Sequence, residues 1–124
     1  MEEIKVGEFI RTKTGTIWKI KRIDFDKIDK SLKWYIYDKK DYITGIVGER
    51  AINKPYIKVH SFNIIDLIEE GDFVNGIRVE YVYRPEGTYV KYIVINENHL
   101  IGSNDDIKSI VTKEQMKTIE YEVS

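Results

Sequence analysis

Apolar positions along the first half of the chain come in short runs broken by polar or glycine-bearing turns, the spacing of strands and not of long helices. Val6 to Ile10 predicts a strand, Lys13-Thr14-Gly15-Thr16 a turn, and Ile17 to Phe25 a second strand. In that second strand the parity changes: Trp18 and Ile20 share one face, Ile23 and Phe25 the other. Because strand side chains alternate with period two, a β-bulge near Lys21-Arg22 is the simplest account. Polar residues 26–33 lead to Trp34-Tyr35-Ile36-Tyr37, a run suited to a strand covered on both sides. Residues 38–55 have turn signals at Gly45, Gly48 and Pro55 but no readable period. Tyr56 to Val59 predicts a last short strand, and Ser61 an N-cap for a helix over 62–69 carrying Ile64, Ile65 and Ile68.

The second half starts with Phe73-Val74, a turn at Asn75-Gly76, and then clear alternation. Ile77, Val79, Tyr81 and Tyr83 fall on one face, with Arg78, Glu80, Val82 and Arg84 on the other. Pro85-Glu86-Gly87 predicts a turn, Tyr89 to Ile95 a central strand, and His99 to Ile101 a short one. Thr112 and Gln115 form a capping box for a final helix to about Tyr121. The halves also echo each other. Lys5-Val6-Gly7-Glu8-Phe9-Ile10 matches Glu69-Glu70-Gly71-Asp72-Phe73-Val74, and Tyr56-Ile57-Lys58 matches Asp106-Ile107-Lys108. The expected fold is mainly β (α+β): two small consecutive β-barrel-like units, residues 1–69 and 70–124, each followed by a short capped helix. Each half alone is small for an independent core, so a shared core or a homo-oligomer is expected.

Composition strengthens the β reading. The chain holds 21 Ile and 10 Val against 3 Leu and 1 Ala, favouring pleated strands over helices. Ile, Lys, Asn and Tyr are also the residues that AT-rich genomes over-use, which points to a low-GC bacterium or one of its viruses. There is no cysteine, so disulfides, thiol catalysis and thiolate zinc sites are excluded. No apolar run reaches the length of a membrane span, and the first residues lack the pattern of a secretory signal; a cytoplasmic protein is expected.

Catalytic chemistry is hard to find. His60 and His99 stand far apart with no carboxylate at metal-ligand spacing. The glycines are isolated, and the pairs Glu69-Glu70 and Asp105-Asp106 suit solvated caps. A protein that is not an enzyme, with no metal and no cofactor, is the expectation. Charge carries more. Residues 1–69 have a net charge of +3 and residues 70–124 of −4, a split that permits association between copies. Arg11, Lys19, Lys21 and Arg22 lie in a stretch without acids that also holds Trp18, and strand pairing can bring Trp34 and Tyr35 alongside. Two readings remain for these residues: a solvated strand face over a core tryptophan, or a ligand-binding surface offering charge for phosphate and rings for stacking. Long duplex DNA is a poor partner for a chain that is not basic. Tyr81, Tyr83, Tyr89 and Tyr92 read either as core filling or as a protein interface, because tyrosine gives contact area at little entropy cost.

The segments Ile4 to Arg11, His60 to Gly76 and Asp106 to Val123 resemble a recurrent type of small protein from phages and prophages of low-GC Gram-positive bacteria, clostridia especially. The resemblance covers about a third of the chain and leaves Trp18 to Ile52 unmatched. It implies a counter-defence setting in the host cytoplasm, with a host defence protein such as a CRISPR effector, or a nucleotide immune signal, as the target. A virion assembly module and a small nucleic-acid-binding accessory protein are the alternatives. The family supplies no site residues to carry over.

Overall fold

The computed structural model describes residues 3–88, 90–95 and 99–117. The chain forms two compact units. One runs to Lys13 and continues from Ile17 to Phe62; the other comprises Thr14–Thr16 and the chain from Asn63 onward. Both are mainly β.

The first unit contains β1 (Phe9–Thr12), β2 (Ile17–Lys19), β3 (Arg22–Phe25), β4 (Lys33–Lys40), β5 (Val47–Ile52) and β6 (Ile57–Ser61). They make two three-stranded antiparallel sheets, ordered β2-β1-β6 and β3-β4-β5. The parity change seen in the sequence is the handover between them, not a bulge in one ladder. Ile20 N–H donates to Glu8 O at 2.9 Å, and Lys21 N–H donates to Ile36 O at 2.9 Å, so successive residues bond to different sheets. Ile4, Ile10, Ile20, Tyr35 and Ile57 are buried together, with Trp18, Ile23 and Ile52 against them.

The second unit is one five-stranded sheet, β10-β9-β8-β7-β11, built from β7 (Phe73–Val74), β8 (Ile77–Tyr83), β9 (Tyr92–Ile95), β10 (His99–Ile101) and β11 (Ile110–Val111). Asn75 and Gly76, both at positive φ, make the tight β7–β8 turn. The alternation read along β8 breaks at Glu80, where the register with β9 slips between Val79 and Tyr81. Val79 is buried, but beyond the slip it is Val82 that packs on the core while Tyr81 and Tyr83 face out. One extra residue in a ladder reverses every later side chain. The core here is Ile65, Ile68, Val74, Val79, Ile93, Ile95 and Ile101.

Two expectations need correction. Neither unit is a barrel, since none of the three sheets closes on itself. In each unit a 3-10 turn, Lys54–Tyr56 or Asn104–Asp106, separates the last meander strand from the return strand, and no ladder joins β5 to β6 or β10 to β11. The helix expected over 62–69 is only a 3-10 turn, Ile64–Leu67, and Ser61 is not its cap but the last residue of β6, paired with Phe9. Three β-branched isoleucines in eight residues are poor helix formers, and this single turn already buries Ile65, Leu67 and Ile68. The capping box of the final helix is present: Thr112 N–H donates to Gln115 Oε1 at 2.9 Å, and helical residues 113–117 follow. The rest of that expected helix, and Tyr89, lie outside the described residues.

The same plan recurs in both units. Ile4 and Ile68, both buried, precede Gly7 and Gly71 at φ 94° and 93°, a conformation that favours glycine. The next residue is an acid that accepts a hydrogen bond from the backbone three residues back, Lys5 N–H to Glu8 (2.6 Å) and Glu69 N–H to Asp72 (2.7 Å). The glycine N–H donates to Ile20 O in one unit and to Val79 O in the other. The return strand then pairs with the first, β6 with β1 and β11 with β7. One difference stands out in length. The β4–β5 hairpin runs from Lys33 to Ile52, whereas its counterpart runs only from Tyr92 to Ile101.

Candidate functional site

The residues singled out from sequence do not gather around one cleft. Arg11 is fully buried and Tyr35 sits in the first core. Trp18 packs on that core and stacks on Tyr37, ring centroids 4.6 Å apart. Trp34 Nε1–H donates to Asp26 at 3.1 Å, and Lys19 Nζ lies 5.6 Å from the centre of the Phe9 ring. Only Lys21 and Arg22 stand together, and acids from β3, β4 and β5 surround them. Arg22 forks onto both oxygens of Glu49 at 3.0 Å and also bonds Asp24; Lys21 reaches Glu49 at 2.6 Å and Asp38 at 3.0 Å. In the second unit Tyr83 and Tyr92 pair across the β8–β9 ladder and stack at 5.8 Å, with Tyr81 half-exposed nearby.

These exposed ion pairs fix the base of the β4–β5 hairpin. Hydrogen bonds from Arg22 and then Lys21 hold the Glu49 carboxyl down to about 2 from its ordinary 4.5. A carboxylate lowered in the fold stabilises it above the ordinary value and loses that contribution as pH falls through the lowered one. The window for Glu49 therefore runs from 4.5 down to about 2. Side-chain carboxyl NMR titration is expected to place its midpoint near the lower end; a midpoint of about 4 would mean that the fork does not persist in solution.

The hairpin's outer end was unreadable in sequence and places four exposed large apolar side chains within six residues. Tyr42 is 94% and Ile43 95% exposed, with Ile46 and Val47 also largely in water. They are not slack. Asp41 accepts from the N–H groups of Ile43 (2.8 Å) and Thr44 (3.4 Å), Gly45 N–H donates to Asp41 O at 2.7 Å, and Asp41 N–H donates to Ile46 O at 2.9 Å. Those backbone donors, Ile43 first, hold the Asp41 carboxyl below its ordinary range. Gly45, at φ 75°, closes the turn. Lys39, Lys40 and Arg50 flank the tip on the two strands. The signal available in the sequence was apolar Tyr42-Ile43 set inside an Asp-to-Gly turn, where polar residues are the rule.

The comparisons are silent. No family model, curated protein or solved structure matches the chain. Among the described residues no group of three or more His, Asp or Glu is placed to hold a metal ion. His60 and Glu8 form a largely buried histidine–carboxylate contact at 3.0 Å, where β6 runs beside the start of β1. The sequence held no sign of it, because its members are 52 positions apart.

Proposed function

We propose that this chain is a non-enzymatic binding protein that acts against bacterial host defence by seating the tip of the β4–β5 hairpin in a defence protein. The observation that supports docking is the near-complete exposure of Tyr42 and Ile43 on a turn pre-formed by Asp41 and Gly45. Burying those two side chains in a partner removes apolar surface from water, and a turn already ordered costs little further entropy on binding. The host-defence setting rests on the phage-like segments. A protein target is favoured over a nucleotide signal because Lys21 and Arg22 are engaged by Glu49, Asp24 and Asp38, and a phosphate would have to displace those acids.

The test is co-expression with a panel of bacterial defence systems, read by phage plating. The natural chain is expected to restore plating against at least one system. The double variant Tyr42→Ser, Ile43→Ser is expected to lose that effect by about a hundredfold or more, as for truncated central hot spots, while its urea midpoint stays unchanged. Restoration by the double variant at full strength, or none by the natural chain across the panel, would overturn the reading.

A further inference from the structure

The two sides of the hairpin arm differ in charge. On one, Asp38 stands opposite Glu49, and Lys21 and Arg22 balance them. On the other, Tyr37 stands opposite Arg50 and Lys39 opposite Gly48. Among the described residues no salt bridge engages Lys39 or Arg50. The Asp41 carboxylate feels the Arg50 charge weakly and is held chiefly by the backbone N–H groups of the tip.

This second side is concave. An open hollow of about 670 Å³ has three cations, Lys39, Lys40 and Arg50, and one acid, Asp41, in its walls beside Tyr42 and Ile43. Gly48 leaves room for the Arg50 guanidinium to lie across it: a Cβ at Gly48 would stand 3.1 Å from Arg50 Nη1. Arg50 Nη1 donates to Glu49 O at 3.0 Å, which leaves its other N–H groups for an acceptor. The cations outnumber the one acid, and the Arg50 guanidinium, laid flat over Gly48, presents its fork of donors to a carboxylate.

We propose, building on the docking reading above, that the hollow receives a carboxylate side chain from an acidic segment of the partner protein while Tyr42 and Ile43 enter an apolar recess beside it. Charge and apolar surface lie within one hollow, so the fitting ligand carries both. A free phosphate would leave Tyr42, Ile43 and Ile46 in water. A flat anionic membrane has no side chain to reach into the hollow and meet the Arg50 fork.

The experiment follows amide NMR signals of the full chain with three probes: a peptide of about twelve residues alternating Glu and Leu, the same peptide with Lys for Glu, and vesicles containing phosphatidylserine. The Glu peptide is expected to shift the Gly48 and Arg50 signals, about tenfold more weakly on raising salt from about 50 to about 300 mM. Lys39→Glu with Arg50→Glu is expected to abolish the shift and to cut phage restoration at least about tenfold. Equal response to the Lys peptide, no response to the Glu peptide, or binding to vesicles in its place would overturn the proposal. The plating assay separates the two levels. If charge reversal leaves restoration intact while Ile43→Ser removes it, docking by the tip stands and the carboxylate socket falls; if neither change matters, both fall.

Discussion

Asp72→Ala is expected to destabilise the protein by about 2–4 kcal/mol, because it strands two backbone donors at once. Asp72 is fully buried. One carboxyl oxygen accepts from Glu69 N–H at 2.7 Å, and the other accepts from Lys113 N–H at 2.8 Å, at the first turn of the C-terminal helical segment. A single side chain therefore holds the Gly71 turn and caps a helix forty residues further along the chain. An N–H that water reaches poorly costs about 1–3 kcal/mol when left without an acceptor, and both of these bonds are part-buried. Asp72→Asn keeps one oxygen and is expected to recover about half of the loss. Urea unfolding followed by far-ultraviolet circular dichroism measures both. A loss below about 1 kcal/mol for Asp72→Ala would show that the capping geometry does not hold in solution.

Gly15→Ala is expected to be about as harmful, a loss of about 2–4 kcal/mol from two independent causes. Gly15 sits at φ 90°, where an alanine is strained. There is also no room. A Cβ there would stand 2.3 Å from Thr112 Oγ1 and 2.7 Å from Glu114 Cβ. Thr112 cannot easily yield, since its hydroxyl donates to Gly15 O at 2.7 Å and its backbone carries the capping box with Gln115. Gly76→Ala supplies the contrast: the φ is positive but nothing lies within 4 Å of the added carbon. Thermal unfolding of the two variants side by side is expected to rank Gly15→Ala well below Gly76→Ala. Equal midpoints would remove the steric half of the account.

Local features with their own chemistry were legible in the sequence. The Asn75-Gly76 turn, the Thr112–Gln115 box and the kinship of the two Gly-acid turns were each written in a few adjacent residues. Features set by distant partners were not. β5 was invisible because Gly48, Glu49 and Arg50 lie on an edge strand largely open to water, so no apolar period marks it. The Glu80 slip could be suspected only from Val82, an apolar residue of the wrong parity. The cation run from Arg11 to Arg22 looked uniform because Asp38 and Glu49, the acids that answer Lys21 and Arg22, arrive by strand pairing. Arg11, in the same run, is buried instead.

No residue between Asp38 and Arg50 belongs to either hydrophobic core. The outer arm therefore behaves as an interchangeable head on a fixed handle. Substitutions at positions 42 and 43 are expected to leave folding untouched as long as Asp41 and Gly45 keep the bend, so the surface of this tip can be rewritten at little cost to the rest of the chain.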